Sequence, residues 1–335
     1  MIKIGRLKLS SRFILAPMAG ITDLPFRLFN RKFGCEFAFV EMINVRSLSY
    51  KSKRTKSMLD TTEADNPLGV QILGAEPQYI LKGLDIIKQY DFEVLDFNAA
   101  CPMRKIINRG EGAALLKDPK KLHGLLKLVV EHSDRPVTVK IRTGWDKKSV
   151  NAREVALYAE DAGVKAVFIH GRTKEQLYSG NVDYNAIRAV KEALNIPVIA
   201  SGDIFSPELA KKMFDETGCD AVLVARGSMG NPWIFRELET FFKKGVISPR
   251  PVKEEIFRVM LEHLNSFVDY HGEKTGVMLF RKFFAWYTKG FRGVRPLRER
   301  CSTAKTLKEM EILIRKFKES NESIVEHRIH SHEMP

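Results

Sequence analysis

Apolar residues recur along this chain with two different periods, and the switch between them divides it. Through the first two thirds, short apolar runs without helical spacing occupy residues 13–16, 37–40, 68–72, 94–97, 137–141, 166–169, 197–200 and 221–225. Runs that are apolar on both sides read as strands of a parallel sheet buried on both faces. Between them, sets such as Ile80, Leu84 and Ile87, or Leu122, Leu125, Leu126 and Val129, fall three and four apart and predict helices. Eight strands alternating with helices predict a (β/α)8 TIM barrel of the α/β class, with a doubly wound open sheet as the alternative. Ahead of the first strand, Ile2, Ile4, Leu7 and Leu9 alternate around Gly5 and predict a small hairpin.

After Phe235 the strand pattern stops. Ile256, Met260, Leu264 and Phe267, then Phe280, Phe283, Phe284 and Tyr287, then Met310, Leu313, Ile314 and Phe317 keep helical spacing. The expected organisation is a barrel domain over 1–240, a smaller helical-bundle domain over 245–320 and a flexible polar tail over 321–335 carrying His327, His330 and His332.

Composition narrows the function. No apolar run approaches the roughly 20 residues that span a bilayer, and no signal-peptide core opens the chain, so a cytoplasmic protein without membrane attachment is expected. Cys35, Cys101, Cys219 and Cys301 form no Cys-x-x-Cys pair, which argues for free thiols and against a zinc site or a disulfide framework, and no metal is expected. The net charge of +14 points to a polyanionic partner. Positive charge is dense in a basic, aromatic helix expected over 279–300, where Arg281, Lys282, Lys289 and Arg292 interleave with Phe283, Trp286, Tyr287 and Phe291. That pattern fits a phosphate backbone, and its plainer reading is a solvated face over an aromatic core. No obligate protein partner is evident.

A barrel does its chemistry in the loops at the carboxyl ends of its strands. Those ends here carry Ala16-Pro17-Met18, Glu41, Gln71, Asn98 with Cys101, Lys140 and Arg142, His170-Gly171-Arg172, Ser201-Gly202-Asp203, and Ala225-Arg226. Cys101 follows a buried strand halted by Pro102 and precedes Arg104, Lys105 and Arg109, the setting of a reactive thiol; a packed small hydrophobe is the alternative. The two glycine-bearing turns after the seventh and eighth strands lie where barrels hold a phosphate. Lys140 ends an apolar strand and is expected to face an anionic ligand, or else Asp96 in a buried ion pair. Gln71 and Met18 suit the edge and face of a heteroaromatic ring, and His170 suits a ligand or a tie between loops.

The segments APMAGITDLPFR (16–27), GVQILG (69–74), DFNAACPMRKIINRGEGAALL (96–116), VKIRTGW (139–145), HGRT (170–173), SGDI (201–204), ARGSMGNPWIF (225–235) and RKFFAWYTKG (281–290) together resemble the tRNA-dihydrouridine synthase family, nearest its bacterial B-type branch. The resemblance runs over nearly the whole chain in order. It implies an FMN-binding barrel, a C-terminal tRNA-binding helical domain and the NADPH- or NADH-driven reduction of the C5–C6 double bond of tRNA uridines. Carried over, Ala16, Pro17, Met18, Gln71, Lys140, His170, Ser201, Gly202, Asp203, Ala225 and Arg226 fall on cofactor positions and Cys101 on the catalytic proton donor. Asn98, Arg104, Arg142, Arg281, Lys282, Lys289 and Arg292 are then expected on the substrate. Ala100, Ser201, Ala225 and Phe283 depart from the family pattern, where glycine, asparagine, glycine and histidine respectively are usual. A barrel reductase of a free pyrimidine or enone, and a non-catalytic RNA-binding protein, are the competing readings.

Overall fold

The computed structural model describes residues 1–50 and 52–320, so the expected tail lies outside the described residues. The chain divides into two compact units, one ending at Arg226 and one beginning at Gly227.

In the first unit, β1 (Ile2–Ile4) and β2 (Leu7–Leu9) pair antiparallel as the predicted hairpin. The larger sheet comprises β3 (Phe13–Leu15), β4 (Phe37–Phe39), β5 (Ile43–Asn44), β6 (Leu68–Leu73), β7 (Val94–Asn98), β8 (Val137–Arg142), β9 (Val167–His170), β10 (Val198–Ser201) and β11 (Ala221–Val224). All its pairings are parallel. A pairing between β4 and β6 closes the sheet into an eight-stranded barrel, with the two-residue β5 added along the end of β6. The closed TIM barrel is thus present and the open sheet is not. The two-residue β5 was not predicted, because Ile43-Asn44 is too short to carry a period.

Helices of this unit are α1 (Leu24–Lys32), α2 (Val45–Ser49), α3 (Lys53–Ser57), α4 (Pro77–Ile87), α5 (Arg104–Ile107), α6 (Pro119–His132), α7 (Ala152–Asp161), α8 (Tyr184–Ala193) and α9 (Pro207–Thr217). Asp23, Asp118, Asp183 and Ser206 each accept a backbone N–H at the start of α1, α6, α8 and α9. Ile2, Ile4, Leu7 and Leu9 of the hairpin join one apolar cluster with Ile14, Phe37, Phe39, Phe168, Ile199 and Leu223. The turn glycine Gly5 has φ +57 and lies against Pro136 and Lys165, at the amino ends of β8 and β9. The hairpin therefore covers the lower end of the barrel with apolar side chains and leaves polar chemistry to the upper rim.

The second unit holds α10 (Ile234–Lys244), α11 (Lys253–His271), α12 (Glu273–Tyr287), α13 (Arg295–Cys301) and α14 (Leu307–Glu319). At its centre the His263 ring meets the rings of Phe267 at 4.9 Å and Phe283 at 4.8 Å, and its Nδ1 pairs with Tyr287 Oη at 2.9 Å. Phe283, one of the departures from the family pattern, is thus a core residue. The expected continuous helix over 279–300 is corrected: α12 ends at Tyr287 and α13 starts at Arg295. Gly290 and Gly293 sit at φ +90 and φ +70 in the connection, and Pro296 stands in the first turn of α13. Left-handed glycines stop a helix and first-turn proline starts one.

No helix among the described residues is long and apolar enough to cross a membrane.

Candidate active site

Parallel register places the barrel's predicted site residues at one level. Asn98 lies beside Lys140 across β7 and β8, Arg142 beside His170 across β8 and β9, and His170 beside Ser201 across β9 and β10. Ala16, Pro17 and Met18 follow β3, Gln71 lies within β6, and Gly202-Asp203 and Ala225-Arg226 continue β10 and β11. The barrel thus brings Ala16 to Met18, Gln71, Asn98, Cys101, Arg104, Lys140, Arg142, His170, Ser201 to Asp203 and Ala225-Arg226 to its carboxyl-end rim.

Cys101 is shaped by a chain of buried hydrogen bonds. Asp96 accepts from Thr138 Oγ1 and from Gln71 Nε2, both at 2.7 Å. A carboxylate oxygen that accepts obliges the Gln71 amide to present its N–H, so Gln71 Oε1 faces away and accepts from Asn98 Nδ2 at 2.8 Å. Asn98 Oδ1 is then left to hold the backbone N–H groups of Ala100 and Cys101, at 3.0 and 2.8 Å. The turn bearing the thiol is thereby fixed from inside the barrel. Arg142 also supports it, donating to the carbonyls of Ala100 at 2.8 Å, Thr173 at 3.0 Å and Leu177 at 2.8 Å. Gly112, at φ +60, brings its backbone against Cys101; a Cβ there would stand 2.7 Å from the Cys101 carbonyl oxygen.

Burial is the main cause that pushes the Cys101 thiol above its ordinary range; Glu111 adds to it, while the Met103 backbone N–H and Arg142 oppose it. The thiol is therefore protonated at neutral pH. Asp96 is raised to about 6 by burial, against the pull of Thr138, Gln71 and Lys140. Burial lowers the Lys140 amine to about 8. The alternative reading of Lys140, a buried ion pair with Asp96, is not realised: the Asp96 oxygens are taken by Thr138 and Gln71, and Lys140 Nζ donates to Ser201 Oγ at 3.5 Å.

The opposite side of the rim is cationic. Asp203 is clamped by Arg172 at 2.5 Å and Arg226 at 2.9 Å, the Arg172 side chain being fully buried. His170 is buried, pairs through Nδ1 with Ser201 Oγ at 3.2 Å and leaves Nε2 without a hydrogen-bond partner. Burial first, then Arg142, Lys140, Arg172 and Arg226, hold its imidazolium form well below the usual histidine range. A neutral imidazole with a buried, unpartnered ring nitrogen, among four cations, fits an anionic group with hydrogen-bonding ring atoms.

In the second unit, Arg281 gives its guanidinium to the Ala304 carbonyl at 3.0 and 2.6 Å, and Lys282 lies 5.3 Å from the Phe283 ring centroid. Lys289 and Arg292 occupy the connection between α12 and α13 and are exposed. Tyr178, Thr138, Asn44 and Glu111 were not singled out from the sequence. Tyr178 lies under Arg142 and Arg226, at 5.6 and 5.1 Å, in a loop without a period. Glu111 accepts from Asn44 Nδ2 at 3.0 Å, a contact between residues 67 apart.

A closed parallel barrel thus carries a shaped thiol and a cluster of cations around a buried imidazole on one rim, the arrangement of a barrel enzyme. The dihydrouridine synthase (Dus) family model matches residues 14–322. The chain is similar to tRNA-dihydrouridine synthase B of Pseudomonas aeruginosa, 39% identical over 297 residues that cover 89% of this chain and 90% of that protein. It is likewise similar to tRNA-dihydrouridine synthase B of Pasteurella multocida, 38% identical over 315 residues, 94% of this chain and 95% of the other. Among solved structures, the old yellow enzyme homologue of Zymomonas mobilis superposes with a TM-score of 0.52 at 12% identity, over 75% of this chain and 94% of the other. Histamine dehydrogenase from a Rhizobium species gives 0.55 at 13% identity over 79% of this chain, which spans only 50% of that longer one. Those two likenesses concern the fold. The chain belongs to the dihydrouridine synthase family and is an oxidoreductase.

Proposed function

We propose that this protein reduces the C5–C6 double bond of uridine in tRNA to give 5,6-dihydrouridine, with FMN as its cofactor and NADPH or NADH as the reductant. The observation that carries the reading is a protonated thiol, Cys101, on the same rim as the unpartnered His170 Nε2 and its surrounding cations. FMN fits that donor set, and it supplies a hydride from its reduced ring when bound.

Lys140, His170, Ser201, Gly202, Asp203, Ala225 and Arg226 would hold the cofactor, with Ala16, Pro17, Met18 and Gln71 on the other strands of the rim. Arg226 is the phosphate partner in this reading, since a guanidinium suits an oxyanion in two directions. Lys140 would offset negative charge on the bound cofactor. Cys101 gives its proton to C5 of the uracil and recovers it from solvent. A thiol suits this step because an exposed carboxylic acid would already be ionised at neutral pH. Asn98 and Arg142 keep the thiol's turn in place, and Arg104, exposed on α5, meets the substrate at the rim.

A stacked uracil is out of reach of the rim, so the nucleotide is swung out of its stack. Lys289 and Arg292, with Arg281 and Lys282 beside them in sequence, make the helical unit the tRNA-binding domain in this reading, by phosphate contact. Incubation of the purified yellow protein with an unmodified tRNA transcript and NADPH, followed by position-resolved mass spectrometry, tests it. Specific uridines should gain two hydrogens each. Equal turnover on free uridine and on tRNA would favour a free-pyrimidine reductase instead.

A further inference from the structure

Beside the Cys101 loop the barrel carries an aromatic pair, one ring exposed and one half-buried, that the chemistry above leaves unused. Tyr50 is 67% exposed, and its hydroxyl lies 3.3 Å from that of Tyr79, with the ring centroids 6.1 Å apart. The Arg46 guanidinium lies 5.0 Å from the Tyr79 ring centroid and 3.3 Å from the Glu76 carboxylate. The cluster belongs to the upper rim. Asn44 pairs in register with Leu73 at the carboxyl end of β6 and caps α2, which carries Arg46. Tyr79 stands in the first turn of α4, which leaves β6 on the same side.

Two short contacts connect the pair to the thiol. Asn44 Nδ2 donates to Glu111 at 3.0 Å, and the next residue, Gly112, touches Cys101: a Cβ on it would lie 3.1 Å from Cys101 Cβ. The platform is also held firmly. Val45 of α2 fills the space that side chains at Gly74 and Gly83 would need, at 2.5 Å from the first Cβ and 2.9 Å from the second. Glycine is disfavoured inside a helix, so Gly83 in α4 marks a close approach of α2.

Burial does not explain Tyr50, whose ring faces water. Lys56 and Lys82 are exposed nearby in sequence, and the chain immediately after Tyr50 reads Lys-Ser-Lys-Arg-Thr-Lys. Aromatic faces next to cations complement unpaired RNA, where bases stack and phosphates pair. The Arg46–Glu76 pair is exposed and hence weak enough to exchange for a phosphate.

We infer that Arg46, Tyr50 and Tyr79 form a docking surface for unpaired RNA nucleotides flanking the uridine under reduction. The tyrosine rings stack on bases and Arg46 meets the backbone. This rests on the tRNA reading above, and binding is measured separately from turnover so that each stands or falls alone.

Fluorescence anisotropy of the full-length protein with labelled tRNA transcript, and with a labelled single-stranded oligouridylate, compares wild type with Tyr50→Ala/Tyr79→Ala, Tyr50→Phe/Tyr79→Phe and Arg46→Ala. Removing both rings should weaken the Kd for each probe by about tenfold or more. The phenylalanine pair should restore it, because a ring without its hydroxyl still stacks. Arg46→Ala should lower the slope of log affinity against log salt by about 0.7 for the single strand. Wild-type Kd values in the double-alanine variant, with circular dichroism unchanged, would overturn the inference. Equal weakening by the alanine and phenylalanine pairs would overturn it too, since the hydroxyl contact alone would then be at work.

Discussion

Two aspartates on the same rim, Asp96 buried and Asp203 partly buried, are held in opposite ways. Asp96 sits among neutral donors, Thr138 and Gln71, and burial raises its carboxyl to about 6. Asp203 is clamped between two guanidiniums, Arg172 and Arg226. The first carboxylate carries a cost of burial at neutral pH and uses its acceptor character to set the direction of an amide chain that ends at Cys101. The second neutralises cations where the proposed phosphate lies and ties the β9, β10 and β11 loops together. Asp203 also takes φ +54, a left-handed backbone that aspartate tolerates better than most residues. One side of the rim fixes a thiol and the other fixes charge.

The largest effect should come from breaking the clamp. Asp203→Asn keeps the size and the backbone tolerance but leaves Arg172, fully buried, without its counter-charge. A loss of about 3–5 kcal/mol in urea unfolding is expected; a loss below about 1 kcal/mol would mean that the Ser179 and Gly180 carbonyls suffice for Arg172.

The contrast sharpens with pH. The folded-state pKa of Asp96 lies above its unfolded value, so its contribution to stability is full below about pH 4 and is lost as pH rises through about 6. Asp96→Asn removes that titration. Wild type should therefore lose about 2–3 kcal/mol relative to the variant between pH 4 and pH 7. Parallel stability curves for the two proteins would contradict the burial account.

Much of this was legible in the sequence, for identifiable reasons. Strands buried on both faces give continuous apolar runs, so all eight barrel strands could be read, and each rim residue follows directly from a strand's end. Contacts between residues distant in sequence leave no period. Arg142 looked like a substrate contact and is engaged with three loop carbonyls. Gln71 and Asn98 looked like ligand contacts and are also links in the chain from Asp96. Glu111 and Asn44 meet only because β5 lies along β6, which two residues cannot announce. The break in the helix expected over 279–300 did have a signal, in Gly290, Gly293 and Pro296, which apolar spacing on either side obscured.

A smaller effect should follow from the outer support of the Cys101 turn. Gly112→Ala places a Cβ 2.7 Å from the Cys101 carbonyl oxygen at φ +60, costing about 1–2 kcal/mol in backbone strain alone. Displacement of the turn should also lower turnover by about 100-fold; single-turnover reoxidation of the reduced protein by tRNA would measure it.

The central claim is that the Cys101 sulfhydryl delivers the proton. Cys101→Ala, purified with its yellow cofactor and mixed with tRNA under single-turnover conditions, tests that claim most directly. The account predicts retained flavin absorbance with uridine reduction slowed by about 100- to 10,000-fold. Reduction at the wild-type rate would contradict it and assign the proton to another group.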